Sequence, residues 1–253
     1  MNAAAALRID HLSKAYGALL VTNDVSISIG SASIHALIGP NGAGKSTLIG
    51  QIAGELVPDA GRIELFGEEI TELGAHERAA RGLSRSYQIS SILPEFSALE
   101  NVLLAVRAKC ASVFDFRPGL LKNGELIDRC NEALRAVGLA DLGSIPASRL
   151  SYGQKRQLEL GMAISQEPKV LLLDEPLAGM SPTESKLIVE LIRKLSQGHA
   201  ILLVEHDMPA VFTLATEITV LAGGRVVASG EPAAIRDNDT VRTAYLGEED
   251  TAS

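Results

Sequence analysis

The sequence predicts an α/β fold in which a parallel sheet carries a phosphate-binding loop, antiparallel strands precede the core and a helical insert interrupts it. Three observations predict it. Short runs at 33–38, 170–173 and 200–204 have the length and aliphatic content of strands covered on both faces. The first run enters Gly39-Pro-Asn-Gly-Ala-Gly-Lys-Ser46, which matches the G-x-x-x-x-G-K-[ST] loop. By average composition, those constrained positions arise by chance in roughly one chain in a hundred of this length. Finally, helical periodicity replaces strand alternation between about Ile89 and Gly161.

Taken in order, Leu7–Asp10 and the alternating Val25–Ile29 read as strands with one wet face, as antiparallel strands have. Ser33–Ile38, the glycine-rich loop and Lys45–Ile52 read as strand, loop and helix, the geometry that the loop requires. Its glycines let successive N–H groups converge on a phosphate, Lys45 adds a charge and Ser46 a hydroxyl for Mg²⁺. The helix start adds unpaired N–H groups and partial positive charge. Arg62–Phe66 is a strand following a turn at Asp59–Gly61, and Leu99–Ala108 and Leu126–Val137 are helices separated by the irregular Phe114–Gly119. Ser151-x-x-Gln154 and Ser181-Pro-Thr-Glu184 fit capping boxes, with Pro182 at the first helical position of a helix running to about Leu195. Ser151 thus makes a second anion site far in sequence from the loop. Ala200–Val204 and two short strands around Gly223-Gly224 follow. Residues 1–253 form one compound domain, divided into a β region and loop core (1–88), a helical part (89–160), further core (161–220) and C-terminal strands and tail (221–253).

Composition narrows the function. The 253 residues carry a formal net charge of −8 and no cluster of Lys and Arg interleaved with aromatics, which excludes a nucleic-acid groove. Cys110 and Cys130 lack a CxxC or Cys/His context, so neither a disulfide framework nor a zinc site is expected and both are reduced helix residues. The absence of a long apolar run or a charged-then-apolar leader predicts a protein that is cytosolic or peripheral to a membrane.

Asp174 and Glu175 close an apolar strand and so stand at the C-terminal edge of the sheet, where open α/β folds bind ligands. An isolated Asp-Glu pair merely solvates a strand end. After a phosphate loop, Asp174 reads as a Mg²⁺ ligand with Ser46, and Glu175 as the general base that orients and deprotonates water.

With these residues in place, the chain from Leu7 to Gly247 resembles the ATP-binding cassette (ABC) ATPases, because Leu150-Ser-Tyr-Gly-Gln154 looks like their signature motif. The resemblance implies a RecA-like parallel core with antiparallel β and helical subdomains, and ATP and Mg²⁺ as cofactors. It implies a head-to-tail dimer in which Gly39, Pro40, Asn41, Gly42, Ala43, Gly44, Lys45, Ser46 and Thr47 of one cassette hold ATP while Ser151, Gly153 and Gln154 of the other meet its γ-phosphate. Gln88 would sense Mg²⁺ and water and relay to a membrane partner, His206 would contact the γ-phosphate and orient Glu175, and Tyr16 would stack on adenine. Two positions depart from the pattern: Tyr152 replaces a signature glycine, so its side chain must point away from nucleotide, and Ser181 stands where many members have aspartate.

Val204–Met208, Ala178–Pro182 and the tail Ala244–Glu249 narrow the resemblance to ATPases that import branched-chain amino acids and related amides. That implies a peripheral protein on the cytoplasmic face of the membrane, paired with a second cassette, either another copy of this chain or a paralogue, and with integral-membrane permeases fed by a solute-binding protein. Ile92–Leu99 would line the groove for a permease coupling helix, with exposed Ile, Leu and Phe. The alternative is a soluble ABC ATPase acting as a scaffold in cofactor assembly, against which the tail argues.

Overall fold

The structure, a computed structural model, describes residues 5–86, 92–109 and 124–241. The elements in chain order are β1 (Leu7–Tyr16), β2 (Leu19–Ile29), β3 (Ile34–Ile38), α1 (Lys45–Ala53), β4 (Ala60–Leu65), β5 (Glu68–Glu69), α2 (Ala75–Ala80) and β6 (Leu83–Ser86). They continue as α3 (Ala98–Lys109), α4 (Gly124–Ala136), α5 (Tyr152–Ile164), β7 (Val170–Asp174), α6 (Pro182–Leu195), β8 (Ala200–Val204), α7 (Met208–Leu214), β9 (Glu217–Ala222), β10 (Arg225–Gly230) and α8 (Pro232–Arg236). Every strand expected from the sequence is present. β1 and β2 run further than the apolar patterns alone indicate, because they pair with each other out to Tyr16 and Leu19.

An antiparallel sheet in the order β2-β1-β4-β5 lies beside a sheet in the order β10-β9-β3-β8-β7-β6, in which all neighbours are parallel except the β9–β10 hairpin. In β7 every residue is buried, yet period two persists: Leu171 and Leu173 join the apolar cluster of the helical part, while Val170 and Leu172 join that beneath α1 and the antiparallel sheet. Two covered faces explain the unbroken aliphatic run, and each fully buried leucine contributes about 1.5–3 kcal/mol. The predicted serine caps hold. Ser151 Oγ accepts from Gln154 N and Ser181 Oγ from Glu184 N, each with its reciprocal side-chain acceptor. Cys130 is a buried free thiol in α4, whereas Cys110 lies outside the described residues.

Two buried polar residues shape this core. Arg78, 1% exposed, donates to the carbonyls of Gln51 and Ile52 at the end of α1 and to those of Thr71 and Leu73. His35, 2% exposed in β3, shares a 2.8 Å hydrogen bond with Thr219 Oγ1. Its Nδ1 is 3.6 Å from the half-exposed Glu217 carboxylate. Burial outweighs that charge and pulls the His35 pKa from 6.5 to about 4. The folded state therefore keeps His35 neutral where the unfolded chain already binds a proton, and stability falls as pH drops from 6.5 towards about 4. The full loss amounts to about 3 kcal/mol. Urea unfolding at neutral and mildly acid pH should show this loss in the parent and a flatter acid limb in His35→Gln; parallel limbs would exclude His35 as the cause.

Candidate nucleotide site

Strand register assembles the site. Leu37 of β3 stands opposite Val204 of β8, and Val204 stands opposite Asp174 of β7. The chain therefore leaves all three strands at one sheet edge, and the phosphate loop, Glu205-His206 and Asp174-Glu175 emerge side by side.

The loop backbone is clamped from two directions. A Cβ on Gly44, whose φ is +100°, would lie 2.4 Å from Val21 O of β2, so only glycine lets β2 approach so closely. From the other side, Gly224 in the β9–β10 turn donates to Ala43 O and accepts from Asn23 N, joining the loop to β2. Asn41 and Gly42 stay exposed at the loop's crown, as does Ser46 on the first turn of α1, while Gly39, Ala43 and Gly44 are buried and Pro40, Lys45 and Thr47 lie between. The Lys45 ammonium donates to Gly39 O (2.6 Å) and Pro40 O (3.0 Å), which holds its charge over the loop. Tyr16 ends the β1 strand of the hairpin that supplies Val21. Its ring is half exposed, with the Lys14 ammonium over it 6.0 Å from its centre.

Asp174 is 6% exposed, and its Oδ2 accepts from Arg85 Nη2 at 2.8 Å, while Arg85 Nη1 reaches Glu55. Arg85 fixes the orientation of that carboxylate, a role the sequence did not signal. Glu175 turns sharply out of the strand at φ +47°, in the left-handed region that costs a side chain energy. Its N–H is held by Val204 O at 2.9 Å. Nδ1 of the exposed His206 lies 4.0 Å from Glu175 Oε1. Beneath them is Glu205, 1% exposed, whose carboxylate accepts from the N–H groups of Leu177 (2.8 Å), His206 (3.0 Å) and Asp207 (3.4 Å). Burial raises its pKa, against the pull of those three amides and His206. One buried carboxylate thus ties the loop after Glu175 to the turn that bears His206. The sequence signal for Glu205 is slight: a carboxylate placed directly after a buried strand.

The signature segment lies elsewhere. Ser151 caps α5, which packs on α3, α4, α6 and β6, whereas the phosphate loop packs on β2 and β9. The Tyr152 hydroxyl donates to Ala178 O at 2.9 Å and accepts from Arg156, whose guanidinium sits 5.6 Å from the ring centre. Gly153 N donates to Glu184 Oε1 at 3.2 Å. Gln88 lies outside the described residues, as does the tail Ala244–Glu249.

The expected apolar loop after Gln88 needs one correction. Ile92 is 9% exposed and belongs to the core, because the helical part packs over it; Leu93 and Phe96 alone of the three face outward. Asn101, itself buried, shapes this loop by accepting from Leu93 N and donating to the carbonyls of Leu93, Phe96 and Ser97. Among the described residues, no helix is long and apolar enough to cross a membrane.

Comparison with known proteins agrees with this geometry. Residues 22–178 match the family model described as ABC transporter, and residues 225–251 match that of the branched-chain amino acid ATP-binding cassette transporter. The chain is 36% identical over 251 residues to the high-affinity branched-chain amino acid transport ATP-binding protein BraF of Pseudomonas aeruginosa, covering 96% of this chain and 98% of that one. It is 34% identical over 244 residues to the lipopolysaccharide export system ATP-binding protein LptB of Acidithiobacillus ferridurans, covering 96% and 97%. Among solved structures, a nucleotide-free ATP-binding cassette from an ABC transporter superposes with a TM-score of 0.86 at 28% identity, covering 95% of this chain and 98% of that one. The ADP conformation of the cassette MJ1267 gives 0.86 at 28%, covering 96% and 99%.

Proposed function

The chain belongs to the ABC transporter family and is one of its ATP-hydrolysing subunits, and on that premise we propose that it energises the import of branched-chain or related amino acids. The observation that carries the choice of solute is the match of residues 225–251 to the branched-chain amino acid cassette model. Overall identity does not discriminate, since the amino-acid and lipopolysaccharide relatives stand at 36% and 34%.

In this reading the cassette pairs head-to-tail with a second one, and the exposed Leu93 and Phe96 receive a coupling helix of a permease at the cytoplasmic face of the membrane. The loop amides and Lys45 hold the phosphates, with Thr47 beside them, and Tyr16 stacks on the base. Ser46 and Asp174 offer hydroxyl and carboxylate oxygens, the hard donors that Mg²⁺ prefers, so the residues fit that ion. When bound, Mg²⁺ neutralises charge on the phosphate oxygens. Glu175 takes the proton of the attacking water, His206 steadies Glu175 and meets the γ-phosphate, and Gln88 relays the state of the site to the permease. Ser151, Gly153 and Gln154 close the site from the partner cassette.

Uptake of a panel of labelled amino acids and amides tests the solute. Cells lacking the chain should lose uptake of leucine, isoleucine or valine, regain it with the wild-type gene and fail to regain it with Lys45→Ala. The chain should also sediment with membranes only when its permeases are co-expressed. Unchanged uptake across the panel in the deleted strain would reject an amino-acid importer.

A further inference from the structure

The start of α5 is tied to the loop after Glu175 and to the first turn of α6 by two contacts within one chain. Tyr152 Oη donates to Ala178 O at 2.9 Å, and Gly153 N donates to Glu184 Oε1 at 3.2 Å. Each partner is independently braced. Arg156 donates to Tyr152 and is itself held by Glu159 at 2.7 Å. Glu184 Oε2 meanwhile accepts from Ser181 N and Oγ, at 3.1 and 2.7 Å. The fit at Gly153 is close, for a Cβ there would stand 2.9 Å from Glu184 Oε1.

We propose that Glu184 is an internal anion occupying the Gly153 amide, so that ATP held by a partner cassette must displace it for the dimer to close, and that Tyr152 holds the loop in the arrangement that keeps it there. This rests on the head-to-tail dimer proposed above. The Gly153 N–H cannot serve two anions in line at once, and a carboxylate facing an approaching γ-phosphate repels it. Hydrogen bonds from the Ser181 hydroxyl and the backbone amides of Ser181 and Gly153 hold Glu184 below the usual carboxylate range, so it is charged at neutral pH. Displacement frees Glu184, on the first turn of α6, from α5 while its other oxygen stays on Ser181, and the loop running from Glu175 to Ser181 is then tied to the signature helix through Tyr152 alone. The clasp thereby makes the position of that loop depend on whether the partner's ATP has arrived. The Tyr152 departure from glycine acquires a task, since glycine could not reach Ala178.

The test is the ATP concentration that gives half-maximal dimer, read by analytical ultracentrifugation of full-length chain carrying Glu175→Gln. Adding Glu184→Gln keeps a side chain able to complete the cap on α6 but removes the charge, and should lower that concentration by about tenfold, the difference between a charge-assisted and a neutral hydrogen bond. Tyr152→Phe should lower it less, in the same direction. A purely structural cap would leave the concentration unchanged or raise it, and either result overturns the clasp. The second cassette in this test is another copy of this chain; if the Glu175→Gln chain forms no dimer at any ATP concentration, that self-pairing fails first and takes the clasp with it, an outcome distinct from a dimer with an unmoved midpoint.

Discussion

Glu175→Gln is expected to reduce steady-state ATP hydrolysis by about a hundred- to ten-thousandfold, the range for losing a positioned general base, while leaving ATP affinity intact. The amide keeps the size and hydrogen-bonding reach of the carboxylate but cannot accept a proton from water. The backbone turn at φ +47° and the Val204 hydrogen bond do not depend on the side chain's charge, so the fold of this corner should survive. With binding retained and turnover lost, ATP-bound dimer should accumulate and elute earlier in size exclusion only when ATP is present. Lys45→Ala should abolish that shift, because it removes the charge that the loop offers to the phosphates. Rate and shift separate the two roles: a Glu175→Gln protein that hydrolysed ATP at the parental rate would remove Glu175 as the base, whatever its elution.

Local chemistry made much of this site legible. The phosphate loop, the serine caps at Ser151 and Ser181 and the strand ending at Asp174 are written in contiguous residues, and each appears where its pattern places it. Strand register is a different matter. That Leu37, Val204 and Asp174 lie in one row depends on parallel pairings between segments far apart in sequence, β3 with β8 most of all, to which no window of sequence is sensitive. Short elements escaped for a related reason. β6 (Leu-Ser-Arg-Ser) has neither apolar run nor alternation and becomes a strand because β7 pairs with it; α2 is a single six-residue piece. Tyr152 shows the boundary well: its departure from glycine is plain in the sequence, but its partner Ala178 follows only from how α5 and α6 pack. Arg78 and the partly buried Arg85 are not legible in the sequence because a charged residue is expected outside, and tertiary structure decides which ones are taken in.

Arg78→Met is expected to destabilise the fold by about 3 kcal/mol or more, which for a chain of this size lowers Tm by roughly 6–12 °C. Met fills much of the volume but offers no donor to the Gln51, Ile52, Thr71 and Leu73 carbonyls, which then lie buried without their guanidinium. Two of these acceptors belong to the last turn of α1, where Gln51 O also accepts from Gly54 N and where a cation meets the negative end of the helix dipole. Desolvation lowers the Arg78 pKa, opposed by the charge of Glu72, yet a guanidinium stays protonated throughout. Arg78→Lys should recover only part of the loss, since one ammonium lacks the planar fork that reaches carbonyls on both sides. Salt supplies the discriminating control. The partners are buried dipoles rather than surface charges, so the deficit measured in guanidine-free thermal melts should be the same at low and high ionic strength. A mutation of Arg81, whose pair with the more exposed Glu68 lies at the surface, should instead cost little and lose its effect in salt. Because α1 begins at the phosphate loop, the Arg78→Met protein should also bind ATP more weakly well below its melting temperature; an unchanged Tm would show that water or relaxation satisfies those carbonyls and that Arg78 is not the anchor of the helix that carries the nucleotide.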